Sequence, residues 1–115
     1  MVRPDDSRCA VSQNHVHMLL DDALAAQIPF VLDIQSRLLS PMATRVVAPV
    51  IPRRRLATAV VGRLNPCIWI DGVEYVVVMQ QLFAIESHAL GPSVLDLNAQ
   101  SHTIVAALDT LISGI

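Results

Sequence analysis

The sequence predicts a β-rich α+β domain in which several antiparallel strands precede one C-terminal α-helix. Three features carry this prediction: alternating apolar residues over 30–36, an Asp-Gly turn at positions 71 and 72, and apolar residues at helical spacing over 104–112. The length of 115 residues allows one domain with one hydrophobic core.

In residues 30–36, apolar and polar side chains alternate, which is typical of a strand with one buried face. The apolar set is Phe30, Leu32 and Ile34, and the polar set is Asp33 and Gln35. A second, valine-rich strand follows over residues 45–51. Because Pro49 has no N–H to donate to a ladder, we expect this strand to lie at a sheet edge or to be bulged.

A hairpin is predicted over residues 67–78. Two segments rich in β-branched residues, 67–70 and 73–78, flank Asp71 and Gly72. The Asp-Gly pair suits a two-residue type I′ turn because both residues tolerate a positive φ. Three consecutive valines end the second strand, so we expect that strand to be central or to form a subunit contact.

The C-terminal part of the sequence predicts a loop and then a helix. Gly91 and Pro92 indicate the loop. Ser101 can cap the helix, and Gly114 lies where a left-handed turn would end it. Apolar residues at helical spacing form one stripe between these ends. They are Ile104, Val105, Leu108, Leu111 and Ile112.

The first 27 residues are less regular than the rest. Residues 1–27 are therefore interpreted as an N-terminal extension of unassigned structure, and residues 28–115 as the folded domain. Within the extension a short helix from Asp21 or Asp22 to Ala26 is predicted, because aspartate is a good N-cap and alanine favours helix.

The sequence predicts neither a metal site nor a cofactor. His15 and His17 would share one side of a strand, but no third ligand has a suitable spacing, so we expect both to be solvent-exposed in an irregular terminus. Cys9 and Cys67 are far apart and fit no metal spacing. We interpret them as free thiols in a reducing cytoplasm, with a disulfide as the alternative.

Composition and motifs favour a binding protein over an enzyme. Eight Arg, no Lys and ten acidic residues give a net charge of −2, which argues against direct nucleic-acid binding, and no apolar run is long enough to span a membrane. The arginines at 53–55 indicate a solvated loop or a contact for an acidic partner. No catalytic motif is present, although spacing neither supports nor excludes a ribonuclease site of Arg, Asp and His. An apolar fraction of 53% favours a buried subunit interface.

Several segments, in order along the chain, resemble the CcdB toxins. Residues 28–36, the pair Leu38 and Leu39, and residues 44–50 resemble the early strands of that family. Residues 64–72 resemble its next hairpin, and residues 104–115, which end in Gly-Ile, resemble its final helix. Each match is weak by itself, whereas the ordered set is specific.

The resemblance implies an SH3-like antiparallel barrel or sheet, the CcdB/Kid toxin fold, with one C-terminal α-helix. It implies a homodimeric toxin of a type II toxin–antitoxin module that binds the A subunit of DNA gyrase, traps it on cleaved DNA and performs no chemistry. A CcdA-like antitoxin would neutralise the toxin and help to repress the operon. The alternatives are a non-toxic homologue that retains antitoxin binding, and a ribonuclease toxin of the same fold.

The resemblance also implies a target-binding surface. Its residues are Leu38, Leu39, Asp109, Ile112, Ser113, Gly114 and Ile115. Core packing is the alternative role for Leu38, Leu39 and Ile112, and a helix stop followed by a frayed end is the alternative for Gly114 and Ile115. Ser113 departs from the family pattern, because the best-known members have Trp there, stacked on gyrase arginines. Since such a contact contributes roughly 0.5–2 kcal/mol when desolvated, Ser113 predicts gyrase binding weaker by about one order of magnitude. A second departure is that residues 1–27 do not resemble the family's short first strand.

Overall fold

An antiparallel sheet and two helices make up the computed structural model, which describes residues 13–56 and 60–114. The strands are β1 (His15–Leu19), β2 (Phe30–Asp33), β3 (Thr44–Pro52), β4 (Cys67–Ile70), β5 (Val73–Val77), β6 (Phe83–Glu86) and β7 (Leu90–Asp96). The helices are α1 (Asp22–Gln27) and α2 (Ser101–Ser113). The strand order is β4-β5-β3-β2-β1-β7, and β6 also pairs with β3. The predicted β-rich α+β fold, an antiparallel barrel or sheet with one C-terminal α-helix, is confirmed: the sheet is curled into a half-barrel.

β3 lies in the interior of the sheet and pairs with β2 through Pro49 without a register shift, so the prediction that Pro49 marks an edge strand or a bulge is wrong. One side of β3 pairs with β2. The other side pairs first with β6, over residues 44–47, and then with β5, over residues 50–52. Pro49 falls between these two partners, where no ladder N–H is required, and its carbonyl accepts a hydrogen bond from the Val78 N–H at 2.8 Å.

The predicted hairpin is confirmed. β4 and β5 pair in the expected register, and the turn residues Asp71 and Gly72 have φ values of 50° and 77°. Both values lie in the left-handed region that a type I′ turn requires. β5 lies between β4 and β3, and its last valines are buried, so the strand is central.

β1 is a strand that the sequence analysis missed. It pairs with β2 on one side and with β7 on the other, so residues 15–19 lie inside the sheet. The alternation is hidden in the sequence because His15 and His17 occupy successive positions on one face. The predicted short helix follows as α1, where the Asp21 carboxylate accepts a hydrogen bond from the Leu24 N–H at 3.0 Å.

β7 runs through Gly91 and Pro92, so the prediction of a loop there is wrong. β7 is an edge strand of the sheet, where a proline need not donate to a neighbour. A Cβ at Gly91 would lie 2.9 Å from the carbonyl oxygen of Met18 on β1. Glycine is therefore required at position 91 by the close approach of the two strands, and not by a turn.

The two faces of the sheet carry separate apolar clusters. One cluster packs against α2 and includes Val16, Leu32, Val50, Val77, Ile104 and Ala107. The other packs beneath α1 and includes Leu19, Val31 and Val47. No helix among the described residues is long and apolar enough to cross a membrane.

α2 differs from its prediction at its start and along its apolar stripe. The N-cap is Gln100, which makes no side-chain capping bond, so Ser101 is the first helical residue rather than the cap. Ile104 is buried, whereas Val105 and Ile112 are exposed, so the stripe divides between the core and the surface. Gly114 ends the helix at φ 72°, as predicted.

Candidate partner-binding surface

Leu38 and Leu39 lie on the connection between β2 and β3, and we call its residues 36–43 the Leu38 turn. Ser36 begins a short 3-10 turn there, because its hydroxyl accepts a hydrogen bond from the Leu38 N–H at 3.1 Å and its carbonyl accepts one from the Leu39 N–H at 2.9 Å. Leu38 is 86% exposed and Leu39 46% exposed. Core packing is therefore not the role of Leu38.

A buried ion pair lies beneath this turn. The Arg45 guanidinium donates to the two carboxylate oxygens of Asp33 at 3.0 and 3.2 Å, and both side chains are almost fully buried. The prediction that the polar face of residues 30–36 is solvent-exposed is thus wrong for Asp33. Sequence reasoning missed Arg45, although an acid and an arginine on two successive predicted strands were a signal for this pairing.

Gln35 is the second polar residue that sequence reasoning left on an exposed face. It is also buried, and its side-chain amide contacts the Leu38 turn and β3. The turn that carries Leu38 and Leu39 is therefore anchored in buried polar groups of the sheet.

The other predicted site residues lie at the end of α2. Asp109, Ile112, Ser113 and Gly114 are all exposed, Ile112 by 78%. The last turn is held by a hydrogen bond of 3.0 Å from the Gly114 N–H to the Thr110 carbonyl. Ile115 lies outside the described residues.

A cavity of about 430 Å³ separates the Leu38 turn from the first two turns of α2. Arg37 lines it from the turn, and Val105 and Leu108 line it from the helix. Since Val105, Leu108 and Ile112 follow helical spacing on one side of α2, their stripe runs from the cavity to the helix end. The predicted residues of the Leu38 turn and those at the end of α2 thus lie on separate elements. The apolar stripe of α2 connects the cavity beside the turn with the helix end.

The histidines of β1 are not in an irregular terminus, so that expectation is wrong. His15 Nδ1 lies 2.7 Å from the Ser93 hydroxyl, and His17, which is buried, places Nδ1 2.9 Å from the Gly91 carbonyl oxygen. Both rings face β7. Within the described part of the chain, no group of three or more His, Cys, Asp and Glu side chains is arranged to hold a metal ion.

The arginine triplet forms an exposed 3-10 turn after β3. Arg53 pairs with Glu74 at 3.2 Å, and Arg55 donates to the Ala26 carbonyl at 3.4 Å, at the end of α1. Cys67 lies beside Arg53 with a free thiol. Partial burial and then the Glu74 carboxylate raise its pKa, against the smaller opposing effect of the guanidinium. Cys9 lies outside the described residues.

The comparison with protein families decides what kind of chain this is. The sequence model of the family described as CcdB protein matches residues 13–114. The chain belongs to the CcdB family. The match includes β1 and α1, which the predicted boundary at residue 28 leaves out.

Solved structures agree in fold. One described as "Mtb toxin" superposes with a TM-score of 0.59 at 14% identity, covering 87% of this chain and 99% of that one. At such low identity the likeness establishes the half-barrel and C-terminal helix alone. No significant match to a curated protein was found. Membership of the CcdB family identifies the chain as a toxin of the toxin–antitoxin type.

Proposed function

We propose that this CcdB chain inhibits DNA gyrase by binding its A subunit through the Leu38 turn and the end of α2. The observation that carries the proposal is the exposure of large apolar side chains at these positions, 86% for Leu38 and 78% for Ile112. Large apolar side chains this exposed are typical of a surface that a protein partner covers. The family resemblance assigns gyrase contacts to the same residues.

The active form is a homodimer in this proposal. Exposed Val105 and half-buried Leu108 form an apolar side of α2 away from its end, and a second copy packed on it would bury that side in both chains while Ile112, at the helix end, stays free for gyrase. Such packing would bring the Leu38 turns and helix ends of two chains into one surface. Light scattering should give a dimer mass, and Val105→Glu should give the mass of one chain.

The chain acts by binding rather than by catalysis. The cavity beside the Leu38 turn is lined by polar amides, apolar side chains, the Ser101 hydroxyl and Arg37, with no acid or histidine among its lining residues to activate that hydroxyl. The buried Asp33 and Arg45 side chains are engaged with each other. Incubation with RNA tests the alternative of a ribonuclease toxin, for which sequence-specific cleavage is expected.

A CcdA-like antitoxin is the second proposed partner, and both would meet in the cytoplasm. The exposed turn of residues 53–55 offers guanidinium groups to an acidic segment of that partner, while the net charge of −2 gives no support for direct nucleic-acid binding. The alternative of a non-toxic homologue rests on Ser113. Expression without antitoxin separates the two: growth arrest supports the toxin, and normal growth with soluble protein supports the non-toxic homologue.

Truncation after Ser113 tests the gyrase site directly. Removing Gly114 and Ile115 should abolish inhibition of gyrase supercoiling and leave a folded dimer. Equal inhibition by the truncated protein would show that the helix end does not contact gyrase.

Ser113→Trp tests the same site in the opposite direction. The aromatic side chain should strengthen inhibition by about tenfold if it stacks on an arginine of gyrase. An unchanged inhibition constant would show that position 113 faces away from the target.

A further inference from the structure

Gln35 lies two residues after β2, beneath the Leu38 turn, and is only 9% exposed. We propose that Gln35 is a positioning residue that fixes the Leu38 turn, so that Leu38 and Leu39 stay presented to the partner. The inference rests on the proposed function for the identity of the partner, whereas the fixing of the turn stands on the contacts of Gln35 itself.

The side-chain amide of Gln35 joins three backbone groups of the chain and also contacts Met42 Sδ at 4.0 Å. Its Nε2 donates to the Leu39 carbonyl at 3.4 Å and to the Thr44 carbonyl at 3.1 Å. Its Oε1 accepts from the Val46 N–H at 2.9 Å. One planar group therefore connects the middle of the Leu38 turn, the start of β3 and the interior of β3, and it closes the turn from inside.

The backbone of Gln35 is fixed as well. Its N–H donates to Asp33 Oδ1 at 3.0 Å, and its carbonyl accepts from Arg45 Nη2 at 3.0 Å. Asp33 and Arg45 are themselves paired in the core. Because both ends of this network are buried, the amide cannot shift without breaking hydrogen bonds in an environment that makes their loss costly.

Few other contacts hold the middle of the Leu38 turn. Leu38 is mostly in solvent, so its side chain contributes almost no packing to the turn. The ends of the turn are held by a bond from the Arg37 N–H to the Gln13 side-chain oxygen at 3.0 Å and by one from the Ser87 N–H to the Ala43 carbonyl at 2.8 Å, and its other bonds are local. A turn ordered before binding loses less conformational freedom on binding, so fixing it strengthens the complex without any contact between Gln35 and the partner.

Gln35→Glu separates the roles of the amide. The carboxylate still accepts from the Val46 N–H, but it removes both donors and places negative charge against the Leu39 and Thr44 carbonyls. Gln81→Glu is the matched control, because it adds the same charge at an exposed position outside the site. Gln35→Met, which is neutral and of similar length, replaces the first variant if that one does not fold.

Two measurements on the full chain decide the inference. Amide hydrogen exchange at Leu38, Leu39 and Met42 should be about tenfold faster in Gln35→Glu, with β2 and β3 unchanged. Affinity for the gyrase A subunit should fall by about fivefold in that variant and stay unchanged in Gln81→Glu. A uniform increase in exchange across the sheet, or unchanged exchange in the turn, would overturn the inference.

A double-mutant cycle adds a readout that a purely structural role would not move. If Gln35 acts through Leu38, then Leu38→Ala should cost less affinity in the Gln35→Glu background than in the wild-type protein. Losses that simply multiply would overturn the positioning role. If the wild-type protein does not bind the gyrase A subunit, the proposed function fails, and hydrogen exchange alone decides whether Gln35 fixes the turn.

Discussion

The Leu38 turn and the end of α2 both present exposed apolar side chains, but they are held in different ways. Beneath the Leu38 turn, buried Gln35, Asp33 and Arg45 form a connected polar network. At the end of α2, the left-handed Gly114 and one backbone bond to Thr110 close the helix. The proposed surface thus combines a half that is ordered before binding with a half whose geometry depends on a single helix cap.

Breaking the anchor of the Leu38 turn should give the largest effect. Arg45→Ala leaves the buried Asp33 carboxylate without its guanidinium and should lower the free energy of unfolding by about 3–5 kcal/mol. Arg53→Ala is the control, because it removes an exposed ion pair with Glu74 and should cost about 0–1 kcal/mol. Urea denaturation measures both, and equal losses would contradict a buried anchor.

Truncating one apolar side chain in each half tests whether both contact the target. Leu38→Ala and Ile112→Ala should each weaken gyrase binding by about 1–2 kcal/mol if they lie at the centre of the interface. Because both side chains are exposed, the free energy of unfolding should change by less than about 0.5 kcal/mol. Trp69→Ala is the control, since Trp69 is an exposed apolar residue on β4, outside this surface. A loss of affinity in the control alone would move the interface to β4.

Straining the helix cap should affect the second half alone. Gly114→Ala places a Cβ at φ 72°, which costs about 1–2 kcal/mol unless the last residues unwind. Amide exchange should therefore increase in the last turn of α2 and remain unchanged in the Leu38 turn. Gly62→Ala, which meets no atom within 4 Å, is the control. Faster exchange in both halves would show that the two are coupled.

The smallest effect concerns Cys67, which lies outside both halves. Because burial and the Glu74 carboxylate raise its pKa, the thiol should be alkylated more slowly than an ordinary cysteine at pH 8. Because the folded state favours the protonated Cys67 thiol, this group stabilises the folded state relative to the unfolded state at neutral pH. That stabilisation is lost as the pH rises through the raised pKa. Glu74→Gln should speed alkylation, measured at Cys67 by mass spectrometry. An unchanged rate would remove Glu74 as a cause.

Local patterns predicted the elements that depend on neighbouring residues. The Asp71–Gly72 hairpin and the Gly114 end of α2 follow from backbone conformations that few residues adopt. β1 and β7 were missed because their sequences reflect contacts with each other: His17 lies against the Gly91 carbonyl, and Gly91 leaves room for Met18. Such contacts join residues more than seventy positions apart, which no local period reveals.

The sequence predicted the exposed residues of the candidate site but not the buried residues that hold them. The family resemblance gives Leu38 and Ile112, and their exposure agrees with a role at the surface. In the sequence pattern, Asp33 and Gln35 occupy the polar face of a strand, which suggests exposure to solvent. Periodicity cannot distinguish a solvated polar face from one that is buried against an arginine of a neighbouring strand, as Asp33 is against Arg45. The buried network under the Leu38 turn was therefore beyond the reach of the pattern alone.

The position of Pro49, between two strands that pair with the same side of β3, has a consequence for folding accuracy. Any other residue at this position would have a backbone N–H that could bond to β5 or to β6. Either strand could then extend its pairing along β3 and displace the other. A residue with no hydrogen to offer sets the boundary between them. Pro49 thereby acts against misaligned strand pairing where β3 changes its partner from β6 to β5.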